Sequence, residues 1–187
     1  MKKVLFYSII FICYSCTDQK LKQITTADFR EFVAETNYVT DAEKYDWSIV
    51  QLDVINYEIL YGIDWRCPTG MAPANDNDPV TQVSYNDALA YAQWRGVSLP
   101  SYEDYWLLTI ADNRPINAAS LSILPVDQVN MIGNVWEITT PGVYGNIRLA
   151  GGSYLCDKNT CDGTSKEREL LVDKITGNSH IGFAIIE

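Results

Sequence analysis

Gly151-Gly152-Ser153-Tyr154-Leu155-Cys156-Asp157-Lys158-Asn159-Thr160-Cys161 is the stretch on which the architecture and chemistry of this chain turn. Paired glycines permit a backbone that side-chain-bearing residues adopt only at a cost, so a fixed loop is expected here rather than a helix. Glycine and asparagine recur on both sides, at Gly133-Asn134, Gly142, Gly145-Asn146, Gly163 and Gly177-Asn178. The C-terminal half therefore reads as short strands joined by fixed loops. Within the stretch, two thiols separated by four residues allow two readings. They can close a small disulfide loop, or they can share a soft metal ion. A thiolate pair suits Cu(I), which accepts few, soft ligands, whereas Zn(II) wants four ligands that this segment does not supply.

Working toward the N-terminus, three helix starts carry a hydroxyl residue with an acidic residue three positions later, the pattern that satisfies free backbone N–H groups. Thr25 with Asp28 opens a helix over 25–35, with Phe29, Phe32 and Val33 on its inner side. Ser84 with Asp87 opens the clearest helix, carrying Ala88, Leu89, Tyr91, Ala92 and Trp94 until Gly96 stops it. Ser101 with Asp104 opens a third, running to about residue 111, before Pro115. Between the first two, apolar residues crowd 47–63 and predict one or two buried strands. Residues 67–79 hold Pro68, Gly70, Pro73, Asn75, Asn77 and Pro79, too many breakers for a regular element.

The first residues read as a targeting segment. Lys2 and Lys3 precede an apolar run over 4–12, too short to span a bilayer, and Ser15-Cys16 stands where bacterial lipoproteins are cut and acylated. Residues 1–15 are thus expected to be a lipoprotein-type signal peptide, Cys16 the lipidation site, 16–23 a polar tether and 24–187 one folded domain. The expected location is the bacterial cell envelope, as a lipoprotein facing the periplasm or the surface, attached to membrane through its lipid. A cut before Cys16 leaves 172 residues, enough for one core, and moves the net charge from −10 to −12. Such an acidic chain argues against nucleic acid as a partner. Of five cysteines, Cys67, Cys156 and Cys161 then remain, and Cys67 is expected to be a small buried residue.

Several stretches match one family in sequence and in order: Thr25-Thr26-Ala27-Asp28-Phe29-Arg30-Glu31-Phe32-Val33, Tyr38-Val39-Thr40-Asp41-Ala42-Glu43, Val83-Ser84-Tyr85-Asn86-Asp87-Ala88, Ser98-Leu99-Pro100-Ser101, Gly133-Asn134-Val135-Trp136-Glu137, the Gly151 to Cys156 run and Gly182-Phe183. In these the chain resembles the formylglycine-generating enzyme, or sulfatase-modifying factor, family. The resemblance implies an α+β fold related to C-type lectins and low in regular secondary structure. It also implies a monomeric copper-dependent oxidase that uses O₂ to convert a cysteine, in a peptide segment of an exported protein such as a sulfatase, to Cα-formylglycine. By the same resemblance Cys156 and Cys161 would be the Cu(I) ligands, Ser153 would sit near the oxygen site, and Trp136 would line it. Asn130, Gly133, Val135 and Glu137 would hold Ca²⁺, whose hard oxygen ligands these residue types can provide; a Gly-Asn turn beside a core tryptophan is the other reading of that segment.

Some positions depart from the family pattern. Thr160 replaces a tyrosine before the second cysteine, Asp162-Gly163-Thr164-Ser165 replaces a basic stretch, and residues 115–128 form a shortened groove wall. His180, the only histidine, is expected to make a loop hydrogen bond rather than bind metal. The alternative to the oxidase is a non-catalytic scaffold or binding lipoprotein of the same fold, with Cys156 and Cys161 joined as a disulfide.

Overall fold

The computed structural model describes residues 19–157 and 159–187. The proposed signal peptide and Cys16 lie outside the described residues. Among the described residues, seven strands and four helices follow in the order β1 (Leu21–Gln23), α1 (Thr26–Thr36), α2 (Asp41–Tyr45), β2 (Trp47–Gln51), β3 (Tyr57–Tyr61), α3 (Tyr85–Arg95), α4 (Tyr102–Thr109), β4 (Trp136–Ile138), β5 (Ile147–Ala150), β6 (Leu170–Val172) and β7 (Ile181–Ile186). Five strands form a mixed sheet in the order β1-β7-β4-β5-β6, and β2 and β3 form a separate hairpin. Beyond α4, every regular element among the described residues is a short strand, as the glycine spacing there predicts.

Each expected cap is present. Thr25, Ser84 and Ser101 accept the backbone N–H of the residue three positions on, and that residue's carboxylate receives the cap's own N–H. Gly96 ends α3 in the left-handed conformation. The same chemistry at Thr40 and Glu43 starts α2, a single-turn helix whose capping pair is visible in the sequence but which the sequence reading passed over.

Alternation along the sheet divides the interior in two. Trp136, Ile138, Ile147, Leu149, Ile181, Phe183 and Ile185 face one core, with Phe29, Phe32 and Tyr91 of α1 and α3 packed against them. Ala150 and Ala184 face the second, under Tyr102, Tyr105 and Trp106 of α4. Because both faces are covered, β7 reads Ile-Gly-Phe-Ala-Ile-Ile without a polar position. The rings of Phe29, Tyr91 and Phe183 meet edge-on or stacked at 5.3–6.2 Å, a geometry worth roughly 0.5–1.5 kcal/mol per pair beyond burial.

Three expectations change. The tether is shorter than expected, because Leu21, Lys22 and Gln23 pair with Ile186, Ile185 and Ala184 at the edge of the main sheet. A polar segment can hold such an edge because its pairing is made by backbone, while Leu21 and Gln23 turn inward toward the α4 side. Two strands form within 47–63, within the expected one or two, and pair as a hairpin, but β3 is exposed rather than buried: Tyr57, Ile59 and Tyr61 face outward, since β3 pairs with β2 alone. Cys67 is half-buried, with its thiol donating to Ala72 O at 3.3 Å.

Candidate functional site

Sheet topology gathers three distant segments at one end of β4. Trp136, the first residue of β4, sits opposite Ile181 of parallel β7, so His180 lies just beyond it. Antiparallel β5 ends at Ala150 beside Glu137, so the Gly151-Gly152-Ser153 turn emerges at the same end. Backbone bonds lock the two loops together: Gly133 N–H donates to Gly151 O at 2.8 Å, Tyr154 N–H to Asn134 O at 2.9 Å, and Trp136 N–H to His180 O at 2.9 Å.

The thiol loop packs onto this platform through glycine. Gly152 has φ +71°, and a Cβ there would stand 2.6 Å from the Gly163 carbonyl carbon. A Cβ on Gly163 would in turn meet the Trp136 ring at 2.8 Å and the Cys156 sulfur at 2.9 Å. Backbone therefore touches backbone where the loop turns back on itself, and Trp136, Cys156 and Cys161 enter one core. Cys156 and Cys161 are both buried and recorded as free thiols, with their sulfurs 2.8 Å apart.

The two thiols titrate as a pair, one held down and the other pushed up. The hydrogen bond from Cys161 is the largest influence holding the Cys156 thiol down, to about 6, against burial and with help from the Ser153 and Gly163 backbone. The same bond, with burial, pushes Cys161 well up. Ser153 is fully buried and donates its backbone N–H to Cys156 Sγ at 3.4 Å. Its hydroxyl lies 3.9 Å from that sulfur and 3.2 Å from His180 Nδ1. Burial depresses His180 to about 4, so it is neutral at physiological pH. The loop hydrogen bond expected of His180 exists; that its partner is Ser153, beside the thiol pair, had no signal in local sequence.

Cys156 borders a cavity of about 350 Å³ lined by Ile116, Ala118, Ala119, Asp157, Asp162, Gly163 and Thr164. The shortened 115–128 segment thus still supplies one wall. Asn134 pins it, its side chain bonding Asn117 Nδ2, Leu124 N–H and Leu124 O at 2.9–3.1 Å. Ala119 and Leu121 hold positive φ of 60° and 67°, backbone that non-glycine residues adopt only when their surroundings impose it. A larger cavity, about 430 Å³, opens beside Leu107, Arg114 and Met131 and contains neither thiol.

Among the described residues no group of three or more His, Cys, Asp or Glu side chains is placed to hold a metal ion. The donor set at the thiol site is two sulfurs, which fits a soft ion of low coordination number and not Zn(II). Of the expected calcium residues, Asn130 is occupied by its own turn, with Oδ1 accepting Ile132 N–H and Nδ2 donating to Asp112 O, both at 2.8 Å. Glu137 is fully buried on the α4 face, where one oxygen accepts from Gln23 Nε2 and the other has no partner. Burial raises this carboxyl to about 8. A buried carboxylate oxygen without a donor is a position that a hard cation fits.

A family profile described as the sulfatase-modifying factor enzyme 1-like domain matches residues 20–112. Over 101 residues, 44% of this chain and 34% of the relative, the chain is 37% identical to the inactive C-alpha-formylglycine-generating enzyme 2 of Bos taurus. It is 35% identical over 100 residues, 44% of this chain and 33% of the relative, to the formylglycine-generating enzyme of Thermomonospora curvata. These alignments span about a third of either relative's length. The structure of PvdO from Pseudomonas aeruginosa superposes with a TM-score of 0.59 at 14% identity, covering 88% of this chain and 77% of that one, which shows a shared fold. The match to the sulfatase-modifying factor enzyme 1-like domain covers just under half of the chain. The profile match ends before Trp136 and both thiols, so the site itself is argued from its geometry.

Proposed function

We propose that the protein is a copper-dependent oxidase that converts a cysteine in a peptide segment of an exported protein, a sulfatase among the candidates, to Cα-formylglycine. The observation that carries this reading is the buried Cys156–Cys161 pair, held as free thiols beside Trp136 at the edge of a cavity. Cys156 and Cys161 would hold Cu(I), and the target thiolate would approach through the cavity bounded by Ile116 and Asp162. Held by these two sulfurs, a soft Cu(I) ion would supply the redox chemistry toward O₂. Trp136 and the Gly163 backbone exclude water from the sulfurs, and Ser153 holds hydrogens against Cys156. In balance, the target cysteine loses two electrons as its Cβ–S bond breaks and sulfur departs as sulfide. Reduction of O₂ takes four electrons, and an external thiol supplies the other two.

Glu137, with Asn130 and the Gly133 and Val135 carbonyls, would hold a structural Ca²⁺ on the opposite face of β4. The lipidated Cys16 would attach the domain to membrane in the cell envelope, and no helix among the described residues is long and apolar enough to cross one.

The test is a titration of the reduced protein with Cu(I) against a competing chelator. The oxidase reading expects one tightly bound copper, lost in Cys156→Ser and in Cys161→Ser and kept in Cys67→Ser. Binding no tighter than in the first two variants leaves the pair structural and favours the scaffold reading, which the match to a relative named inactive also permits.

A further inference from the structure

The Ser153 hydroxyl has three neighbours and only one proton. Its oxygen lies 3.4 Å from Leu155 N–H, which can only donate; 3.2 Å from His180 Nδ1; and 3.9 Å from Cys156 Sγ. A hydroxyl accepts at two lone pairs and donates once. If Leu155 N–H takes one lone pair and a proton on Nδ1 takes the other, the hydroxyl proton is left for the sulfur. Cys156 then receives both hydrogens that Ser153 can offer, the backbone N–H at 3.4 Å and the O–H.

The imidazole is placed to impose that arrangement. His180 N–H donates to Asn178 Oδ1 at 3.3 Å, its carbonyl accepts Trp136 N–H, and Asn178 Nδ2 donates to Gln51 Oε1 at 3.1 Å. These bonds fix the backbone at His180 beside β4 and, through Asn178, beside β2, and both the imidazole and Ser153 are buried from competing water.

From this geometry we infer that His180 is a positioning residue for the thiol pair: it carries its proton on Nδ1, donates it to Ser153 Oγ, and so turns the Ser153 hydroxyl onto the Cys156 sulfur. The inference deepens the oxidase reading only in taking Cys156 as the reactive sulfur; it requires neither copper nor O₂.

Two measurements test it. His180 is the only histidine of the 187-residue chain, so in untagged protein labelled with ¹⁵N-histidine the imidazole nitrogens of one residue are seen alone. The expected spectrum has the proton on Nδ1; a proton on Nε2 with Nδ1 bare overturns the inference. The second measurement is the rate at which iodoacetamide modifies Cys156 in reduced protein, read by peptide mass with Cys67 as internal reference. Loss of the Ser153 hydroxyl's hydrogen bond to the Cys156 sulfur should slow capture about three- to tenfold in Ser153→Ala and in His180→Phe, and the double variant should be no slower than either. His180→Asn, whose side-chain amide can donate from nearly the place of Nδ1–H, should recover most of the rate.

A ring that merely fills space predicts the opposite sign, because loosening the loop exposes the sulfur and speeds its capture. Faster capture in His180→Phe, or slowing that adds in the double variant, overturns the inference. Should His180→Phe fail to fold, the spectrum of the unaltered protein and the comparison of His180→Asn with Ser153→Ala decide alone. Failure to bind Cu(I) would remove the oxidase reading and leave these outcomes untouched.

Discussion

Trp136 and Glu137 are neighbours in sequence and face opposite sides of β4, the indole lying against Gly163 beside the Cys156 sulfur and the carboxyl lying against Gln23 of β1. The sheet therefore separates the thiol site from the candidate cation site. Perturbing one should leave the other chemically intact, provided the strand holds.

Glu137 gives the first prediction. In the folded chain its carboxyl keeps a proton up to about 8, against an ordinary value of 4.5. Between those values the folded state binds one proton more than the unfolded state, so stability falls as pH rises. The penalty is absent below about 4.5 and complete above about 8. Glu137→Gln removes it, and the variant's advantage in denaturant unfolding with chelator present should grow by about 2–5 kcal/mol between pH 5 and pH 9. Added Ca²⁺ should stabilise the unaltered protein at pH 8 and not the variant. A pH-independent difference would place the carboxyl in water, and equal Ca²⁺ effects would remove the proposed cation site.

Gly163→Ala should loosen the thiol site directly. The new methyl would stand 2.8 Å from Gly152 Cα, 2.8 Å from the Trp136 ring and 2.9 Å from Cys156 Sγ, and the first of these is backbone that cannot rotate away. Overpacking of this kind costs about 1–3 kcal/mol. Urea unfolding should show that loss together with weaker Cu(I) binding; unchanged values for both would mean the loop is not packed as described.

The helix caps differ in burial and should differ in worth. Ser84 is fully buried, accepts Asp87 N–H at 3.2 Å and donates to Asp41 Oδ2 at 2.8 Å, whereas Ser101 is a half-exposed cap bonded to Asp104. Ser84→Ala loses a cap and leaves a buried carboxylate short of one donor, for about 2 kcal/mol or more. Ser101→Ala should cost about 0.5–1 kcal/mol. Equal losses in paired unfolding curves would contradict the role given to Asp41.

Asn134 fastens the cavity wall. Asn134→Ala strips Leu124 N–H and Leu124 O of their partner at once and leaves Asn117 Nδ2 with Ser122 O alone. A loss of about 2–4 kcal/mol is expected. Amide exchange should quicken at Leu124; undisturbed protection there would show the segment to be held by other contacts.

The legibility of the chain follows interaction range. Thr25, Ser84 and Ser101 announced their helices because a cap and its partner lie three residues apart, and Gly151-Gly152 announced a fixed loop because the constraint is on the backbone itself. Thr40 and Glu43 carried the same signal for α2, but a helix of one turn has too little apolar periodicity to support it. The extension of the sheet to Leu21 was hidden, since its partners lie at the far end of the chain. The exposure of β3 was hidden too, because an apolar strand looks alike whether or not another element covers it.

By itself the sequence determined the helix starts, the glycine-rich loops of the C-terminal half, the family resemblance and the thiol pair, all fixed by residues close in the chain or by motifs read in order. Only the tertiary structure decided that Trp136 and Glu137 serve different faces, that residues 115–128 still wall the cavity, and that His180 meets Ser153 beside Cys156. Those relations depend on which strands pair and in what register, a choice made by burial of the whole apolar surface at once rather than by any local run of residues.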